Sequence, residues 1–191
     1  SCINHNILSD FIFKDSPNLI TDVLTNNGFE RYINDTISTL TPDSMKVKYT
    51  NSVNSVLYFA LLPYGLNDPA VRKEYLEKDT INNSIYHKIK VTFMQEGGGK
   101  DFEDVFVYWI NENTYHVDYL AYTYLTDGGG ARFRSAYNQR DVNGIRLVDY
   151  INYKPKNKDY QVYDFDKDFV AGQLVELSKI ELENPVVKIN Q

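Results

Sequence analysis

Residues 105–153 read VFVYWI-NEN-TYHVDYLAYTYLT-DGGGA-RFRSAYNQRD-VNG-IRLVDYINY, four β-rich runs set apart by three turn signals. Side chains alternate between the two sides of a strand, so strict alternation predicts one buried face and one wet face. Between Tyr115 and Leu125, one side of the pleat takes Tyr115, Val117, Tyr119, Ala121, Thr123 and Leu125. The other side takes His116, Asp118, Leu120, Tyr122 and Tyr124. Four such runs in succession form a meander, which curls into a barrel or half-barrel or flattens against a helix.

The rest of the composition agrees with a β-rich object. Tyr 16, Phe 10 and Trp 1 are residues that suit a pleated, half-buried surface. A chain of 191 residues with 42% hydrophobic side chains fits one domain around a core of ordinary size. The net charge of -6, with no basic block, makes a poor nucleic-acid binder, because phosphate neutralisation needs clustered Lys and Arg. The same balance opposes adhesion to an anionic membrane through charge alone. The single cysteine, Cys2, rules out an intramolecular disulfide and a thiolate metal cluster. The longest apolar run, Val56 to Leu62, falls well short of the ~20 residues of a membrane helix. Ser1-Cys2 reads either as the scar of a lipoprotein cleavage site or as an incidental terminus beside an unused thiol.

Ahead of the meander the period changes twice. Phe11-Ile12-Phe13 is a candidate strand, and Ile20–Leu24 and Phe29–Ile33 flank a hairpin turn at Thr25-Asn26-Asn27-Gly28. Thr41-Pro42-Asp43 then starts a helix, with Thr41 as N-cap, Pro42 at the first helical position and Asp43 in the first turn. Met45, Tyr49, Val53, Val56 and Ala60 recur at helical spacing, so the helix runs from about Pro42 to Leu62, with a break expected near Thr50-Asn51. Glu74–Ile81 and Ile85–Met94 predict a hairpin across Asn82-Asn83. Leu174–Ile189 holds the final strand, with a short helix around Asp166–Gly172 before it. Strands, a helical insertion and many further strands make an α+β fold: an antiparallel sheet, curved like a half-barrel, with the helix on its concave side.

Chemistry-bearing motifs are sparse. Gly97–Gly99 and Gly128–Gly130 sit between strands rather than between a strand and a helix, so they read as hairpin tips and not phosphate loops. Arg132 and Arg134 lie beyond the second and either line an anion nest or pair with Glu103 or Asp104. His5, His87 and His116 lack the spacing of a structural zinc site, and no G-x-S-x-G occurs. Asp101, Glu103 and Asp104 match no dedicated calcium loop. No catalytic set, metal site or cofactor follows. The stretch VLYFALLPY, residues 56–64, is apolar nearly all round. A helix of this kind is plain core, or it covers an apolar cavity lined by Val56, Phe59, Ala60, Tyr64 and aromatics of the sheet.

The segments NSVNSVLYFALLPYGLNDPAV, FEDVFVYWINENTYHVDYLAY, GGGARFRSAYN and VNGIRLVDYINY, with LSKIELEN near the C-terminus, resemble an uncharacterised family of exported lipoproteins of the Bacteroidota. The likeness runs from about Phe13 to Asn184. It implies export, with Cys2 as a lipid anchor holding the domain on the outer membrane, or a periplasmic or cell-surface location; it carries no established activity. Relatives have more chain between the acylated cysteine and the matching region, so either that part is replaced here or Cys2 is not the anchor. A deoxyribose-phosphate aldolase activity, ascribed to some members, needs a barrel of alternating strands and helices, which this sequence lacks. More loosely, the order of elements is similar to the lipoprotein carriers LolA and LolB, open half-barrels whose helices lid an apolar cavity. The expectation is a non-enzymatic envelope lipoprotein that binds a lipid or other apolar ligand, or else an accessory or structural subunit of an outer-membrane protein complex. Membrane contact is expected only through the anchor.

Overall fold

The computed structural model of the chain describes residues 7–11, 18–25, 27–38, 42–96, 103–125 and 128–187. The chain packs as two compact units, Ser1–Ala60 and Leu61–Gln191.

The first unit is a four-stranded antiparallel sheet and one helix. Strands β1 (Ile7–Phe11), β2 (Ile20–Thr25), β3 (Gly28–Ile33) and β4 (Thr36–Ile37) pair in chain order. Ile12 and Phe13, part of the first expected strand, lie outside the described residues. The β2–β3 hairpin forms where the Asn-Asn-Gly turn was expected, with Thr25 opposite Gly28 and Gly28 at φ 124°. A second tight turn joins β3 to β4 through Asn34 and Asp35, both at positive φ, as a right-twisted hairpin requires.

Helix α1 (Asp43–Ala60) is continuous. The break expected near Thr50-Asn51 does not occur: poor helix formers cost only a few tenths of a kcal/mol each, too little to interrupt a packed helix. Thr41 lies outside the described residues, and Pro42 precedes the helix, its carbonyl accepting from the Met45 and Lys46 amides. The helix docks on the small sheet through Tyr49, which stacks on Phe29 at 6.2 Å and lies 3.3 Å beneath the Arg31 guanidinium. Arg31 in turn grips the buried Asp22 carboxylate with Nε at 2.6 Å and Nη2 at 2.7 Å.

The second unit is a seven-stranded antiparallel sheet. Strands β5 (Val71–Ile81), β6 (Ser84–Phe93), β7 (Phe106–Asn111), β8 (Val117–Tyr124), β9 (Gly130–Val142), β10 (Ile145–Pro155) and β11 (Leu174–Ile180) pair in chain order. The sheet is open, with β5 and β11 as its edges. Two hairpins turn on Asn82-Asn83 and Asn143-Gly144, again with both central residues at positive φ. The meander read from the sequence is therefore present, strand by strand. A turn of 3-10 helix at Val162–Asp164 and helix α2 (Phe165–Val170) precede β11, where the short helix was expected.

One expectation changes. The meander has buried side chains on both faces rather than one wet face: Trp109, Ala121 and Phe133 on one side, Tyr108, Leu120 and Arg134 on the other. On the first side the reason is visible. Val162, Phe165 and Phe169 plug it, and Phe169 meets Phe133, Tyr119 and Tyr153 at 5.0, 5.6 and 5.3 Å between ring centres.

Candidate functional site

The helix positions expected to line a ligand site fall on one side of α1. Phe59 and Ala60 are buried, Val56 is half-buried, and Phe59 meets Tyr58 edge-on at 5.2 Å. Tyr64 belongs elsewhere: α1 stops at Ala60, and Tyr64 stands 63% exposed in the turn that opens the second unit, its amide donating to Leu61. Cys2 lies outside the described residues, as do Gly97–Gly99 and Asp101. Gly128 and Gly129 take positive φ in a strand connection, as a hairpin tip does. Gly130 opens β9 so close to Tyr124 that a Cβ there would meet the phenol oxygen at 2.6 Å. Among the described residues no group of His, Cys, Asp and Glu is arranged to hold a metal ion.

The face of the large sheet opposite α2 is an aromatic row with basic groups beside it. Phe93 meets Phe106 edge-on at 5.6 Å; Phe106 stacks on Tyr108 at 6.2 Å and on Tyr122 at 5.4 Å; Tyr122 meets Tyr124 at 6.3 Å. Cross-strand pairing dictates the row, because Phe106 opposes Tyr122 and Tyr108 opposes Leu120 in the ladder. Arg132 lies over the Tyr124 ring at 5.1 Å and Arg134 over Tyr122 at 5.5 Å, with Arg134 Nη2 donating to the Tyr122 hydroxyl at 3.1 Å. Burial lowers the pKa of Arg134 and pushes the Tyr150 hydroxyl up to about 12. This face combines large apolar area with a few fixed polar groups, the make-up of sites for apolar or amphiphilic small molecules.

The opposite face holds a charged cluster that the sequence reading missed. Lys88, 1% exposed, points from β6 into the layer beneath α2. Its ammonium lies 3.1 Å from Asp79 Oδ2, 3.3 Å from Glu77 Oε1 and 3.2 Å from Asp166 Oδ1, and 5.7 Å from the Trp109 ring centre. Burial alone would lower the Lys88 pKa, but Asp166 and Asp79 hold it above its ordinary value. Burial raises Asp166 to about 6, with the adjacent Asp79 adding to the rise and Lys88 opposing it. Asp79, less enclosed, is held below its ordinary value by Asp166 and Lys88 against its own desolvation. The only signal in the sequence was two lysines, Lys88 and Lys90, alternating with apolar residues along β6. Their partners depend on the β5–β6 register, which shifts by a bulge between Tyr75 and Glu77.

A third polar network ties the C-terminal segment to β9 and β10. The buried Asp149 carboxylate accepts from the Leu182 amide at 2.9 Å, Arg140 Nη2 at 3.0 Å and Asn138 Nδ2 at 2.6 Å. Arg140 also donates to the Leu182 carbonyl at 2.6 Å, and Asn143 to the Val187 carbonyl at 2.7 Å. None of the three networks presents a nucleophile with a base beside it.

No curated protein and no solved structure matches the chain. A family model does, over residues 9–182, which takes in most of both units. The chain belongs to the family of unknown function DUF6503.

Proposed function

We propose that this chain is a non-enzymatic protein of the bacterial envelope that holds a lipid or other apolar ligand. The observation that carries the reading is the aromatic row Phe93, Phe106, Tyr108, Tyr122 and Tyr124 with Arg132 and Arg134 beside it. A sheet face serving only as core is filled well by Leu, Ile and Val, which carry no polar atoms to satisfy. Tyrosines interleaved with arginines suit a molecule with a greasy body and a polar end. A half-barrel curvature like that of LolA and LolB belongs to the proposal too. Support comes from the open antiparallel meander and from register shifts in four of its strand pairs, since bulges bend and twist a sheet. Anchoring through an acylated Cys2 completes the reading, motivated by Ser1-Cys2 and the family resemblance.

Native mass spectrometry of protein purified from its own host tests the ligand. A retained lipid-sized mass, lost on Tyr108→Ala, is expected. Ligand-free protein that no lipid extract stabilises overturns the proposal. For the anchor, Cys2→Ala in the full precursor should release the product from membranes; unchanged membrane association rejects it.

A second reading, an accessory subunit of an outer-membrane complex, rests on one observation. The β5–β6, β7–β8 and β9–β10 turns share an end of the sheet, and Ile85, Tyr115 and Ile145 stand exposed there. Tyr115 is 73% exposed at φ 58°, a conformation bulky side chains avoid, fixed by its amide donating to the Asn111 carbonyl at 2.9 Å. A co-purifying protein lost on Tyr115→Ser, with no retained lipid, would favour this reading over the first.

A further inference from the structure

One ammonium faces three carboxylates beneath α2. Glu77 and Asp79 come from β5, Lys88 from β6 and Asp166 from α2 itself. Of the acids, Asp166 is the most enclosed, at 1% exposure, with the Lys88 ammonium 3.2 Å from its Oδ1 and Asp79 competing for the same cation. With all three acids ionised the cluster holds more negative charge than Lys88 balances, in a place where water screens little. The acid that can least keep its charge is the one on the small helix.

The other charged and titratable groups on the elements around α2 are already engaged. On α2, Lys167 pairs with Asp164 at 2.9 Å, and Asp168 lies one residue further on. Along β6, Lys90 pairs with Glu74 at 3.0 Å and feels Tyr163 from the 3-10 turn. Tyr86 reaches Asp118 at 3.3 Å, Tyr119 lies against Phe169, and Glu176 of β11 acts on Tyr153. Lys167 also acts on Asp166 and Asp79 through space, but its ammonium is bonded to Asp164, so Lys88 is the cation within ion-pair distance of Asp166.

We propose that α2 is a pH-dependent latch: protonation of Asp166 seats the helix on the sheet, and ionisation loosens it. Loosening uncovers the apolar layer that Phe165 and Phe169 plug, around Trp109 and Phe133. The direction follows from linkage. The seated state raises the pKa of Asp166 from 3.8 to about 6, so it binds more protons than the open state between those values. Opening therefore becomes easier as pH rises from about 4 to about 6 and levels off above. Asp79, held low in the seated state, works the other way and only at more acid pH.

Trp109 is the sole tryptophan of the chain and lies beside Lys88, so its fluorescence reports the latch directly. Amide exchange of residues 162–170, corrected for intrinsic rates, is measured with it at pH 5 and pH 7.5. The wild type should show an opening constant roughly ten-fold larger at the higher pH, with a fluorescence transition between. Asp166→Asn, an uncharged mimic of the seated acid, should stay protected at both pH values. The histidines are common to both proteins, so the difference isolates Asp166. Equal wild-type protection at both pH values, or an Asp166→Asn protein that keeps the wild-type dependence, overturns the proposal. Should Asp166→Asn fail to fold, Asp79→Asn decides: removing the neighbouring negative charge must move the fluorescence midpoint to lower pH, and an unmoved midpoint overturns the latch.

Discussion

Lys88 and Asp166 stand 3.2 Å apart, Lys88 on β6, the strand beside the edge strand β5, and Asp166 on α2, far along the chain. Breaking such a pair from one side strands a buried charge. Lys88→Ala should therefore cost roughly 3–5 kcal/mol in urea unfolding. Replacing both partners by apolar residues, Lys88→Met with Asp166→Leu, should recover part of that loss, because the most enclosed carboxylate goes with its cation and only the more exposed Asp79 and Glu77 stay behind. A double variant as unstable as the single one would show that the pair contributes through geometry rather than charge.

Asp22 anchors the first unit in the same manner. It is sealed beneath a bidentate Arg31, whose guanidinium also covers Tyr49 of α1. Arg31→Lys keeps the charge but loses the planar fork and the stacking. Loss of a large part of the stability of residues 18–60 is expected, read as faster amide exchange through α1, with β5–β11 protected as in the wild type. Unchanged protection of α1 would show that Tyr49 and Phe29 hold the helix without the arginine.

Those contacts mark what was legible in the sequence. Tight turns were, because Asn82-Asn83 and Asn143-Gly144 tolerate the positive φ that a two-residue hairpin demands, and few other residues do. The stripe on α1 was too: Met45, Tyr49, Val53, Val56 and Ala60 are its less exposed positions. Pairing over long range was not. Lys88 meets Glu77 only because a bulge shifts the register after Tyr75, and it meets Asp166 only because the Val162–Val170 segment folds back over the sheet. The aromatic row shows the boundary between the two. Each tyrosine was visible as a strand residue, but which rings share a face across β6, β7 and β8 depends on register, and the bulge beside Trp109 alters it.

Asp149 sets the acid limit of the C-terminal strap. Burial alone would raise its pKa; the Leu182 amide, Asn138 and Arg140 together hold it below the ordinary value of 3.8. A carboxylate with a lowered folded pKa contributes stability that is complete above its unfolded pKa and disappears as pH falls through the folded one. Residues 181–187 should thus stay protected from proteolysis at pH 6 and become progressively more susceptible as pH falls below 3.8. Asp149→Asn should expose them at both. A strap that survives the substitution would assign its hold to Asn143 and Tyr137, which bond Val187 and Glu181.

The ligand reading makes its sharpest demand on Tyr108 and Phe59, which are both buried aromatics but sit in different units. Truncating either to Ala should cost about 3–5 kcal/mol, the range for a large buried side chain. What separates them is the response to lipid. A ligand bound only by the folded protein stabilises it by RT ln(1 + [L]/Kd), about 2.7 kcal/mol at a hundred-fold excess over Kd. Tyr108→Ala removes the ring that stacks on Phe106 opposite Leu120, so it should unfold at the same urea concentration with and without host lipid extract. The wild type should gain stability from the extract, and the difference in gain between the two proteins measures the site. An equal gain in Tyr108→Ala would remove the aromatic row from the ligand contacts. Phe59→Ala is the control in the same assay: a preserved gain shows that loss of stability alone does not abolish the response to lipid.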